Sequence, residues 1–190
     1  MILLDNIQVK HTNEFAAPKD KHYSMQEGWS LGSAVLNTTG PRTYYWRAFI
    51  EGNKVKVQRE DSSSSQDVYA IPNGSKIQQL DLTFDANMQT FLAIVMDSKP
   101  YYYGFDANTN TYAMKSLAPD ITYPRCDYDN NPDISKADVI LGYMRPGGKL
   151  YYTLQRERFL TERLVKTDPQ KNMLWRCGLS KDGRLAFQWR

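Results

Sequence analysis

The sequence predicts an all-β fold made of about four copies of one small antiparallel sheet, and three observations predict it. Aromatic residues form 13% of the chain, with 13 Tyr and 4 Trp, and flat side chains suit a pleated, half-buried surface. Short runs rich in Tyr, Val, Ile and Phe recur between Gly, Asn, Asp and Pro turn signals. The runs repeat at about 45 to 50 residues, the spacing of a four-stranded propeller blade. Helical spacing is scarce. Its closest instance, Arg156 to Val165, sets Phe159 and Leu160 among five charged residues.

Taken in order, the first unit reads Leu31 to Leu36, Tyr44 to Ile50, a Gly52-Asn53 turn, Lys54 to Val57, a Ser62 to Ser65 loop, and Val68 to Ile71. The second reads Gln79 to Phe84, Phe91 to Met96, Tyr101 to Phe105 and Thr111 to Leu117, with turns at Asp85 to Asn87, Asp97 to Lys99 and Asp106 to Asn110. The third reads Arg125 to Tyr128, Asp138 to Met144, a Pro146-Gly147-Gly148 turn, Lys149 to Leu154, and Phe159 to Val165. After it, Leu174 to Leu179, a turn at Lys181 to Gly183 and Arg184 to Trp189 supply only the first two strands of a fourth unit. Ile2 to Lys10 reads as the missing third strand and His22 to Glu27 as the missing fourth. Pairing of the chain ends would then close a ring and remove exposed sheet edges. The expectation is a single domain over residues 1–190, a four-bladed propeller closed by N- and C-terminal strands; a β-sandwich or an open array of hairpins are the alternatives.

Laid over one another, the first strands place Ala34, Leu82, Cys126 and Cys177 in one column and Leu36, Phe84, Tyr128 and Leu179 two residues on, where the same face recurs. The columns between are more polar: Val35, Thr83, Asp127 and Gly178, and Ser33, Asp81, Arg125 and Arg176. One face is therefore expected to pack and the other to be wet. If first strands line a central channel, Asp81, Arg125 and Arg176 project into it, where opposite charges can pair; an ordinary solvated edge is the competing reading.

The chemistry-bearing residues are sparse. The two histidines, His11 and His22, both lie near the N-terminus, with no cysteine close by and no Gly-x-Ser-x-Gly elbow in the chain. No phosphate loop or dinucleotide fingerprint occurs, and no cofactor is expected. Cys126 and Cys177, too few and too far apart for a disulfide framework or a zinc site, are expected as buried, reduced side chains. The net charge of +3 is scattered, which gives no reason to expect specific nucleic-acid binding, and no apolar run reaches the roughly 20 residues of a membrane helix.

Two further patterns need weighing. Asp127, Asp129, Asn131 and Asp133 place oxygens at alternate positions as a calcium loop does, with Asp138 beyond, but Pro132 stands where such a loop needs Gly. This is expected to be a solvated loop with no metal. Ser180 to Phe187 has a sialidase-like look, but its Gly follows the Asp directly, and it reads as a turn. Tyr44-Tyr45-Trp46, Tyr101-Tyr102-Tyr103 and Tyr151-Tyr152 put aromatics on both strand faces, as sheets buried on both sides do; one face could instead stack on sugars.

Ala137 to Tyr143, the following Gly-Gly turn, Lys149 to Tyr152, Gln155 to Phe159, Trp175 to Gly178 and Arg184 to Gln188 form a pattern with a likeness elsewhere. Phe84 to Met88, Phe91 to Val95 and Tyr101 to Phe105 continue it upstream. Residues 80–190 resemble tail-associated virion structural proteins of tailed bacteriophages, particularly short-tailed ones. The resemblance implies a non-enzymatic assembly or adaptor role, with synthesis in the host cytoplasm, residence in the virion tail and other virion proteins as partners. It transfers no catalytic or ligand residue. A homo-oligomer in a symmetric assembly is expected, meeting partners through the polar loops Asp61 to Gln66, Asp127 to Lys136 (with Asp129 and Asn131) and Thr167 to Lys171. A carbohydrate-binding receptor module and a glycan-cleaving enzyme that uses two carboxylates are the rival functions.

Overall fold

The structure, a computed structural model, describes residues 30–37, 41–59, 61–85, 89–106, 109–129, 138–179 and 185–190. These form antiparallel strands gathered into four sheets, with one 3-10 turn at Gln155–Glu157. Sheet I holds β1 (Ser30–Asn37), β2 (Pro41–Glu51), β3 (Lys54–Arg59) and β4 (Gln66–Ala70). Sheet II holds β5 (Ile77–Phe84), β6 (Thr90–Met96), β7 (Lys99–Asp106) and β8 (Thr111–Ser116). Sheet III holds β9 (Thr122–Asp129), β10 (Asp138–Arg145), β11 (Lys149–Leu154) and β12 (Arg163–Thr167), and sheet IV β13 (Leu174–Leu179) and β14 (Leu185–Trp189). Within each sheet every strand pairs with the next in the chain, the up-and-down order read from the turns. The predicted strands Ile2 to Lys10 and His22 to Glu27, together with His11 and His22, lie outside the described residues.

Turn chemistry sets the hairpins. Asp97 and Ser98 both take left-handed backbone (φ 49° and 61°), the mirror-image turn whose twist matches the flanking strands. The Asp97 carboxylate accepts from the Lys76 N–H at 2.8 Å, and its own N–H donates to the Lys76 carbonyl at 3.0 Å, which anchors a conformation unusual for a residue with a Cβ. Phe159 is not in a strand: after the 3-10 turn, Arg158 and Phe159 take φ 54° and 58°, and β12 starts only at Arg163.

The sheets stack face to face. In β6, Leu92 and Ile94 pack with Ala48, Val55 and Val57 of sheet I, whereas Phe91 and Ala93 pack with Cys126, Val139, Leu141 and Tyr143 of sheet III. In β10 the same faces recur, and Met144 packs with Leu150, Leu174, Phe187 and Trp189 toward sheet IV. Strands covered on both faces read as unbroken apolar runs, as Val139 to Met144 does within β10, and each large aliphatic side chain buried this way contributes about 1.5 to 3 kcal/mol. The first strands stand side by side, β1 with β5, β5 with β9 and β9 with β13.

Counting back three residues from the strand ends Glu51, Met96 and Arg145 gives Ala48, Ala93 and Gly142, small residues all facing the next sheet. Their partners across the ladder are Ser30, Asp81 and Arg125. The first-strand column therefore runs Leu31, Leu82, Cys126, and the expected Ala34 is three residues out. Gly40-Pro41 marks a break before β2 but does not set which residues of β1 pair across it.

The expected wet face is corrected. Asp81 is 8% exposed, Arg125 3%, Asp127 3% and Thr83 0%, so both faces of β5 and β9 are buried. For Asp81 and Arg125 the next sheet's main chain takes the place of water, whereas Thr83 Oγ1 has no hydrogen-bond partner among the described residues.

Candidate functional site

Hydrogen bonds between first strands organise the centre. Gln79 Nε2 donates to the Pro124 carbonyl at 2.6 Å, and Asp81 Oδ2 accepts from the Cys126 N–H at 3.0 Å. Both residue numbers rise together along β5 and β9, so the two strands run parallel and sheets II and III stand the same way up. Arg125 Nε reaches the Leu174 carbonyl at 3.5 Å, continuing the contact into sheet IV. Burial pushes the Arg125 guanidinium below its ordinary pKa, and the neighbouring Asp81 carboxylate opposes that shift.

Pro124 can face Gln79 because β9 bulges. Gly142 pairs with Arg125 but Met144 with Thr122, so Tyr123 and Pro124 together oppose Tyr143. Tyr123 takes φ 51°, and Pro124 lacks the N–H that a regular ladder would use. At this end a cleft of about 460 Å³ opens between sheets II and III, lined by Lys76, Gln79, Pro100, Ile121, Tyr123 and Arg125 among others. Sequence reasoning named Arg125 but missed Gln79, Tyr123 and the cleft itself; the Tyr-Pro step inside a strand was the available signal.

Of the residues expected to face a channel, the structure brings Asp81 and Arg125 together; the Arg176 side chain lies outside the described residues. The expected interface loops do not share one surface. Trp46, opposite the last residue of β3, meets Phe84, the last residue of β5, at 5.3 Å between ring centres, so sheet I stands the same way up as sheet II. The loop from Asp61 to Gln66 and the strand ends that flank 130–137 lie at one end of the sheets. Thr167 to Lys171 lies at the other, beside the β10–β11 hairpin.

Asp127 is not a loop residue: it is buried within β9, and its charge reaches Cys177. Asn131 and Lys136 lie outside the described residues, as does the side chain of Asp129. Asp138 is also drawn inward, accepting from its neighbour's Val139 N–H at 2.9 Å and from the Arg156 N–H at 3.0 Å, which holds the 3-10 turn. The two ends of the calcium-like pattern thus serve the fold, and the described residues contain no group of three metal-ligating side chains.

The remaining loops are tied down locally. In the first, Gln58 Nε2 donates to the Ser62 carbonyl at 2.8 Å, Ser64 N–H to Ser62 Oγ at 3.2 Å, and Asp61 pairs with Arg59. In the second, Asp168 N–H donates to the Gly148 carbonyl at 2.9 Å and Lys171 N–H to the Asp168 carbonyl at 2.9 Å. Thr167, Gln66 and Asp61 are exposed, and Lys171 is half-buried. No protein-family model, curated protein or solved structure matches the chain.

Proposed function

We propose that the chain is a non-enzymatic adaptor of a bacteriophage tail, built as a four-bladed propeller. The supporting observation is that polar, internally braced loops stand at opposite ends of sheets I to III, which point the same way, Asp61 to Gln66 at one end and Thr167 to Lys171 at the other. Such a block can hold one partner above and another below, which is what an adaptor in an axial assembly requires. The resemblance of residues 80–190 to tail-associated virion proteins supplies the setting.

Ring closure belongs to the same proposal. Sheet IV has the two strands with which every other sheet begins, and β14 has no partner on its outer edge among the described residues. Ile2 to Lys10 and His22 to Glu27 are assigned as its third and fourth strands. Mass spectrometry of purified virions tests the location, with the chain expected in tail-containing particles and absent from tail-less heads. Failure to find it in any particle overturns the reading.

One observation favours a carbohydrate-binding role. Tyr69, Tyr103, Tyr112 and Phe105 form a ladder with ring centres 6.1, 5.8 and 5.5 Å apart, and Phe105 is 38% exposed at its end. Aromatic faces of this kind stack on sugar rings. Saturable signals on a glycan array that vanish in Phe105→Ala would favour that role over the adaptor.

A further inference from the structure

The cleft beside the Tyr123–Pro124 bulge holds a charge that the fold leaves unfinished. Arg125 lines it and is 3% exposed, yet its Nη2 has no hydrogen-bond partner among the described residues. An unsatisfied buried donor costs about 1 to 3 kcal/mol, more when charged, and because this one is closed off from solvent an acceptor reaches it only when the guanidinium turns toward the cleft. The neighbouring acceptors are engaged elsewhere: Asp81 Oδ2 accepts from the Cys126 N–H, the Leu174 carbonyl receives Nε, and the Pro124 carbonyl receives Gln79. A second cation, Lys76, lines the same cleft from the exposed side. Asp81 is the acidic group whose field reaches the guanidinium, and it balances the charge without supplying a partner for Nη2. The rest of the lining sets apolar Val95, Pro100, Ile121 and Met173 beside polar Gln78, Gln79, Ser98 and Thr122.

We propose that this cleft binds a carboxylate carried on a short apolar stem, with Arg125 and Lys76 holding the anion and Val95, Pro100, Ile121 and Met173 holding the stem. A planar guanidinium matches the two oxygens of a carboxylate, and a bare phosphate would leave the apolar half of the cleft unfilled. The site is independent of whether the sheets close into a ring.

The test is a titration of the full chain with butyrate, butyramide and inorganic phosphate, followed at the Arg125 Nε–Hε resonance. Butyrate is expected to shift it saturably with a Kd of about 1 mM, which is a modest affinity fitting so small a ligand. Phosphate should bind more weakly, and butyramide should leave the resonance unmoved. Lys76→Gln, a substitution at an exposed side chain, should weaken butyrate about threefold with the fold intact. Equal shifts with butyramide, tighter binding of phosphate than butyrate, or no shift with any of the three in the folded protein would each overturn the proposal.

Discussion

The Cys126 N–H donates to Asp81 Oδ2 at 3.0 Å, so a carboxylate of one sheet completes the hydrogen bonding of the next sheet's first strand. Replacing Asp81 with Ala strands that N–H in a buried site and removes the charge nearest Arg125. The expected loss is about 3 to 5 kcal/mol, the range for breaking one side of a buried charged contact. Asp81→Asn keeps an acceptor and should lose clearly less. Urea denaturation of the two variants measures the difference; equal losses would mean that the hydrogen bond is not what β5 contributes.

Gly142 of sheet III lies against side chains of sheet IV. A Cβ there would meet Leu174 Cδ2 at 3.1 Å, Phe187 Cε1 at 3.3 Å and Cys177 Cβ at 3.4 Å, so Gly142→Ala forces small shifts in Leu174 and Phe187. It should cost about 1 to 3 kcal/mol, the usual penalty of overpacking. The equivalent Ala93, already carrying a Cβ, should tolerate Gly at a similar or smaller cost by leaving a gap. Thermal melts of both variants check the pair.

Strand positions were legible because Gly-, Asn- and Asp-rich turns punctuate apolar runs, and the units predicted from them coincide with sheets I to III and the start of IV. Register and polarity were less so. The offset of β1 depends on its pairing with β2, which the Gly40-Pro41 break marks without fixing. Asp81, Thr83 and Asp127 fit a wet face by residue type alone, whereas all three are buried, and at Asp81 the Cys126 N–H takes the place of solvent. The cleft was invisible because it arises from one bulge at Tyr123–Pro124 and from the meeting of distant segments.

Both cysteines are free and buried, and burial raises each thiol's pKa well above its ordinary value of 9.0. A thiol reagent at pH 8.5 should therefore label neither in the native protein and both once urea unfolds it. The sign of the linked stability follows. Above pH 9.0 the unfolded chain releases thiol protons that the folded chain keeps, so this stability is full below that pH and is lost as pH rises through it. The slope is about 1.4 kcal/mol per pH unit for each thiol. The double variant Cys126→Ala, Cys177→Ala should lose about 1 to 3 kcal/mol at neutral pH and show a flatter alkaline limb. An unchanged limb would place the titrating groups elsewhere.

Gly148 couples the β10–β11 hairpin to one of the proposed contact loops. A Cβ there would lie 1.8 Å from the Asp168 carbonyl oxygen and φ is +67°, whereas at Gly147, φ +80°, nothing lies within 4 Å. Gly147→Ala therefore carries only the backbone penalty of about 1 to 2 kcal/mol. Gly148→Ala must in addition push residues 168–171 off the hairpin, breaking the Asp168 N–H bond to the Gly148 carbonyl. Amide exchange at Asp168 and Lys171 should accelerate in the second variant and stay near wild type in the first. If Thr167 to Lys171 meets a tail partner, Gly148→Ala should also enter particles less efficiently than Gly147→Ala at matched folded concentration. Faster exchange with unchanged incorporation would leave the loop mobile but take it out of the interface, and the contact would then have to be sought at the opposite end, around Asp61 to Gln66.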